Sequence, residues 1–404
     1  MRKGRKDRYN PPMLSRALPF VAGLVGVLVG VGGTVVLLLQ ASQNAGLGTA
    51  GFESWLFAAT LGAGIVGIGL SLHLRQPIII AWSTPGAALL VSSLSGYDYP
   101  DALGAFVAAG LATVLVGVTG AFRRLLDRIP PQVIMAVLAG VLLPFGLRLV
   151  QAIPDAPVVV LSMVATYLVL ARAGVRAPVL GALGVGLAIV LVRGEVDTGA
   201  VDLRLATPVL TMPRLNLNAV LTLGLPLWAL TMTAQNATGL AVLRTHGYDT
   251  PIDLVLVVVG AASVVLAPLG CHALNLAALS AAFAAGPEAG PDPARRWRAA
   301  VAAGVAYLVI AVFAGAAATL FIAMPAALIA ALAGLGLLGV IGASLGAAIA
   351  PEPREPALLA LLVAASGVTL LGVGAAFWGL VAGLGAAVAL RRRRPVTASP
   401  EPSA

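Results

Sequence analysis

Along most of the chain, apolar residues run for about 17 to 25 positions, stop at a short polar or Pro/Gly-rich break, and start again. The runs lack the charged stripe of a surface helix. They predict helices immersed in lipid, where each segment must close its own backbone hydrogen bonds. Spans are predicted near 16–40, 52–72, 77–95, 101–122, 131–151, 156–171 and 177–192, then 217–242, 253–268, 270–285, 299–321, 325–349, 356–371 and 373–390. Fourteen crossings result, or twelve if two short segments are re-entrant. The first run follows a basic stretch but is about 25 residues long and lacks a signal-peptidase site, so it reads as a span.

Composition agrees: 59% of residues are hydrophobic and only 10% charged, and the mean hydropathy is +0.99. So few charges could not cover a soluble surface of this size. The net charge of +9 does not point to nucleic acid, because the basic residues cluster at span ends, at Arg2 to Arg8, Arg123 to Arg128, Arg295 to Arg298 and Arg391 to Arg394. With both termini cytoplasmic, 21 of the 25 basic residues fall on the inner side, leaving Arg148, Arg193, Arg204 and Arg214 outside. That bias orients the chain in an inner or plasma membrane. A single cysteine, Cys271, excludes an intramolecular disulfide, and three histidines without ligand spacing predict neither a metal site nor another cofactor.

The halves resemble each other. Ile129 to Leu143 and Met324 to Leu338 share a leading proline and a Leu-Ala-Gly at nearly the same place, and other span starts keep an offset of about 195 residues. Seven spans per half is an odd number, so two duplicated halves (16–200 and 201–390, between basic cytoplasmic tails at 1–15 and 391–404) would insert with opposite topology.

Carriers of that design bind solute near the midplane, where paired spans are interrupted. The third and tenth spans fit. After Pro77 comes a β-branched stretch, and then Ser83 or Thr84 can cap a helix with Pro85 in its first turn. Pro268 and Gly270 break the tenth span before a run of helix formers. A helix starting at mid-membrane offers free N–H groups to an anion. The eighth span carries Thr231, Thr233, Gln235, Asn236 and Thr238 where lipid-facing positions should be apolar. The candidate substrate residues are therefore Trp82, Ser83, Thr84 and Gly86, with Thr233, Gln235 and Asn236, and with Cys271, His272 and Asn275. His272 and Glu53 are the candidates for carrying a proton; a hydrogen-bonded neutral histidine and a solvated span-end carboxylate are the alternatives. Asp98 and Asp101 read as outer-loop charges, and Trp228 and Trp378 as interface anchors.

Ala81 to Leu90, Gly96-Tyr97, Phe122 to Pro130, Leu138 to Gly146, Gly270 to Ala273 and Gly286 to Trp297 together resemble the benzoate:proton symporter (BenE) family, over about Pro19 to Leu390. The resemblance implies a secondary transporter that imports an aromatic carboxylate with protons. It also implies kinship with the uracil and xanthine carriers, an all-helical membrane fold of core and gate domains with strand and half-helix in spans three and ten. Those carriers use an acidic residue in span eight, where this chain has Thr233-Ala-Gln-Asn-Ala-Thr-Gly and no carboxylate. A nucleobase or other organic-anion carrier is the alternative of the same fold, and an anion channel that of another class. No acid, base and nucleophile set lies within the spans, so an enzyme is not expected. The expected partners are the aromatic carboxylate, protons and lipid; a homo-oligomer is compatible with the sequence and nucleic acid is not.

Overall fold

The computed structural model describes residues 12–122, 124, 130–175, 178–196, 199, 202–286, 289–368, 370 and 375–390. The basic clusters at Arg2 to Arg8 and Arg391 to Arg394, the Arg123 to Arg128 cluster apart from Arg124, and Pro287 and Glu288 lie outside the described residues.

The protein is a helical membrane protein. Its elements are α1 (Pro12–Asn44), α2 (Gly48–Leu74), β1 (Ile80–Trp82), α3 (Thr84–Ser93), α4 (Tyr99–Thr119), α5 (Pro131–Gln151), α6 (Pro157–Arg172) and α7 (Pro178–Val192). There follow α8 (Leu217–Arg244), α9 (Ile252–Leu266), β2 (Leu274–Leu276), α10 (Ala278–Ala285), α11 (Trp297–Val312), α12 (Ala314–Ile322), α13 (Ala326–Ile349), α14 (Glu355–Ala365) and α15 (Ala375–Ala389). Among the described residues six helical segments, α2, α4, α5, α8, α9 continued to Leu269, and α13, are long and apolar enough to cross a bilayer singly. Proline stands in the first turn of α4, α5, α6 and α14, where its missing N–H costs nothing. Gly120 closes α4 in the left-handed conformation that glycine tolerates.

The helices form two sets that meet across one continuous apolar core. In one, α2 lies against α11, α4 against α9, and α1 against α3, α10 and α11; in the other, α5 lies against α13 and α14, α14 against α15, and α6 against α7. The first set closes backbone on backbone. A Cβ on Gly64 would stand 2.8 Å from Gly304 O and one on Gly304 3.0 Å from Gly64 O. Gly110 and Gly260 repeat the arrangement, at 3.1 Å and 2.8 Å from each other's carbonyl oxygens. Glycine is required there because any side chain would force the helices apart.

The segment read as one span over 299–321 is two helices, with α12 bent 70° from α11. The physical reason is a strap, residues 202–216, that takes the backbone groups at the bend. Ala206 N donates to Val312 O (2.9 Å) and Ala316 N to Arg204 O (3.2 Å). The strap is tied along its length: Ser54 Oγ accepts from Val209 N (3.0 Å), Thr211 N donates to Pro268 O (2.9 Å) and Arg214 N to Pro100 O (2.8 Å). Its carbonyl at Arg214 lies 2.1 Å from where a Cβ on Gly104 would be.

Candidate substrate site

Residues Pro77 to Trp82 are too β-branched and too short for a helix, and they find a partner in the turn after α9. β1 and β2 pair antiparallel, with Ile80 opposite Leu276, Ala81 opposite Asn275 and Trp82 opposite Leu274. The pairing satisfies backbone groups that have no water available. Each strand leads into a short helix, and because the strands are antiparallel α3 and α10 start from opposite ends of the ladder.

Ser83 is the node. Of the two capping candidates it is the one that caps α3: its Oγ accepts from Gly86 N at 3.1 Å. The same oxygen accepts from Thr231 Oγ1 of α8 at 2.8 Å. Ser83 N donates to Ala273 O at 3.0 Å, and Ser83 O accepts from Ala87 N at 2.8 Å. Asn275, oriented so that both ends of its amide are satisfied, accepts from Ser83 N and donates to Leu276 O, each at 2.9 Å. The cap consumes part of the helix end. Pro85 has no N–H and the amides of Gly86 and Ala87 are taken, so Thr84 N is the amide at this end without a partner among the described residues.

His272 is fully buried, edge-on to the rings of Trp55 (5.6 Å) and Phe106 (6.3 Å). Trp55 Nε1 stands 3.0 Å from His272 Nδ1, and His272 Nε2 stands 2.9 Å from Ser83 O. An indole nitrogen can only donate and a carbonyl can only accept, so Nδ1 accepts and Nε2 carries the hydrogen. The ring is thus a neutral imidazole with both nitrogens engaged. Cys271 beside it is buried, with its amide donating to Leu266 O at 3.2 Å.

On α8, wide π-helical turns over Val220–Gly224 and Thr231–Asn236 shift the register of the side chains that follow. Leu227 then meets Gly86, whose Cβ would lie 2.4 Å from Leu227 Cδ1, and Thr231 meets Ser83. Asn236 Oδ1 accepts from Leu276 N at 3.0 Å, closing the free side of β2, and Thr233 Oγ1 donates to its own helix at Ala229 O (2.6 Å). Gln235 and Thr84 are half-buried, and their side chains take no hydrogen bond among the described residues. Trp82 is buried with its ring edge-on to Tyr307 at 6.0 Å. The indole nitrogens of Trp82 and Trp228 are buried without a hydrogen-bond partner among the described residues.

Glu53 stands apart from this junction. It is fully buried under the strap, where Arg204 Nη2 (2.6 Å) and Thr207 Oγ1 (2.9 Å) donate to it, along with Thr207 N. Asp101 is likewise buried, receiving Arg214 Nε and Asn216 Nδ2 (2.8 Å), while Asp98 stays exposed and binds Arg214 Nη2 at 2.7 Å. These hydrogen bonds, Asp101's first, hold the Arg214 guanidinium protonated and raise its pKa above the ordinary arginine value. Sequence reasoning missed Trp55, Phe106 and Tyr307. Nothing local marks them, since Trp55 and His272 are 217 positions apart.

Residues 15–389 match the family described as benzoate membrane transport protein (BenE). The chain is 39% identical over 364 residues to the inner membrane protein YdcO of Escherichia coli (strain K12), covering 90% of this chain and 93% of that one. It is 35% identical over 365 residues to the benzoate membrane transport protein of Acinetobacter baylyi, with the same coverage of each. The fold is similar to that of the transmembrane domain of the cyanobacterial bicarbonate transporter BicA, at 16% identity and a TM-score of 0.57, covering 92% of this chain and 98% of that one. The Acinetobacter baylyi relative is named as a membrane transport protein, not an enzyme. On this match of nearly its whole length, the chain is a membrane transporter and belongs to the BenE family of benzoate membrane transport proteins.

Proposed function

We propose that this transporter imports benzoate or a similar aromatic carboxylate together with protons, binding it between the starts of α3 and α10 and the polar face of α8. The observation that carries the reading is the Ser83 node, at which β1, α3, the turn before β2 and α8 meet through side-chain and backbone hydrogen bonds. The name of the Acinetobacter baylyi relative supports the substrate. Trp82, Thr84 and Gln235 are the residues that would touch the acid, because their polar groups have no partner among the described residues. Ser83, Gly86, Thr233, Asn236, Cys271, His272 and Asn275 shape the site from behind.

We further infer fourteen crossings in two inverted repeats, 16–200 and 201–390, with the β1–α3 and β2–α10 segments as broken spans, tails 1–15 and 391–404, and both termini cytoplasmic. Packing supports the repeat. The Gly64–Gly304 and Gly110–Gly260 contacts exchange places when numbers are shifted by about 195. So do two further sites: Gly186 would meet Leu328 (2.6 Å) and Met163 (2.6 Å), and Gly383 would meet Val133 (2.6 Å) and Ala360 (2.8 Å). In this reading α1–α4 and α8–α11 form the core and α5–α7 with α13–α15 the gate.

Purified protein in liposomes should accumulate labelled benzoate under an inward proton gradient, above protein-free controls. Uptake that a protonophore leaves unchanged would remove the coupling. Displacement of bound label by uracil but not by benzoate would replace the substrate.

A further inference from the structure

We infer that the proton that travels with the substrate is carried on the substrate's own carboxyl group and not on a side chain of the protein. The inference rests on the proposed proton-coupled uptake of an aromatic acid, and it concerns which atom holds the proton during the crossing.

α3 and α10 carry no titratable residue, and α1 carries none between Leu18 and Asn44. α5, α8 and α11 pack against one or both of these short helices, and their arginines Arg148, Arg244 and Arg298 are exposed at the helix ends. Behind them, α2 has Glu53 under the strap and His73 at its other end. There remain the buried Arg296, whose guanidinium is held by Gly290 O (2.9 Å) and by Ala285 O (2.7 Å) at the far end of α10, the phenols Tyr307 and Tyr99, the latter beside Gly270, and Cys271 and His272 in the turn before β2. Of these only His272 has an ordinary pKa in the neutral range. Its Nδ1 is the one nitrogen that could accept a proton, and it already faces the Trp55 indole N–H at 3.0 Å. Protonation would set two N–H groups against each other in a fully buried position.

A carboxylate entering this junction meets neutral donors, such as the Thr84 amide, the Trp82 indole and the Gln235 amide, while among the described residues the buried cation beside α10, Arg296, is tied to carbonyls at that helix's far end. Desolvation without an opposite charge disfavours the ionised form, by up to roughly 3–5 pKa units for a fully buried group. A carboxylic acid ordinarily near 4 is thereby brought into the neutral range. The steps balance: on the outer side an O–H bond forms between a carboxylate oxygen and a proton from water. The neutral acid crosses, and on the inner side that bond breaks and the proton returns to water. One proton moves per acid and no net charge crosses.

The test is binding of a series of ring-substituted benzoates of different acidity, such as 4-nitrobenzoate and 4-methylbenzoate, to the purified full-length protein across pH. Apparent affinity should fall about tenfold per pH unit above a midpoint. That midpoint should move with the acidity of each compound, and benzoate uptake into proteoliposomes should be indifferent to an imposed membrane potential. One midpoint shared by every compound, or uptake driven by potential, would overturn the inference while leaving benzoate transport intact. Absence of binding by any aromatic acid at any pH would instead remove the functional reading on which the inference stands.

Discussion

The strap and the β1–β2 junction both take polar groups out of water, and they do it with opposite chemistry. Under the strap, the carboxyl groups of Glu53 and Asp101 are paired with the guanidinium groups of Arg204 and Arg214. At the junction, Ser83, His272, Asn236 and Asn275 satisfy one another without a formal charge. The difference follows from cost. An ion pair can be tolerated where one partner reaches water, and Arg204 and Arg214 are 40% and 58% exposed. Where neither partner reaches water each charge would need full compensation, so a neutral network is the cheaper way to hold the two short strands together.

Breaking the neutral network should have the largest effect. Trp55→Ala removes a fully buried ring and the donor to His272, and should destabilise the protein by about 4 kcal/mol. Thermal unfolding in detergent would read this, and an unchanged melting temperature would show that the indole is not a support. Next comes the strap. Arg204→Met leaves Glu53 buried with only Thr207 donating, a loss of about 2 kcal/mol once the exposure of the arginine is discounted. Adding Glu53→Gln should recover part of it, because an amide oxygen still accepts from Thr207. A double variant weaker than Arg204→Met alone would contradict charge as the cause. Ser83→Ala removes the α3 cap and the acceptor of Thr231, costing about 1 kcal/mol of stability. It should also weaken benzoate binding, measurable by competition with labelled ligand. Trp378→Phe, which loses one exposed hydrogen bond to Leu370 O (3.1 Å), should change stability by less than about 0.5 kcal/mol.

The apolar runs, the proline starts of the helices and the β-branched stretch before Ser83 are written locally, so they could be read directly. Two features were not local. The bend at Phe313 interrupts an apolar run that contains no proline, and its cause is the strap's hydrogen bonds from more than a hundred positions away. Glu53, expected as a span-end carboxylate in water or a proton carrier, is covered by residues that the sequence separates from it by 151 and 154 positions. Trp228 carries no sign in its neighbourhood of its buried indole nitrogen, since tryptophan composition alone favours the membrane interface. Side-chain partners across the fold are set by which helices meet, and periodicity does not encode that.

The reciprocal glycine contacts between α2 and α11 and between α4 and α9 have a mechanical consequence. Where main chain rests on main chain, there is no layer of rotatable side chains to absorb a sliding displacement. Each of these two helix pairs is therefore stiff against sliding, and relative movement of the two helix sets falls to contacts made through ordinary side chains, those of α1 with α13 and of α3 and α8 with α5.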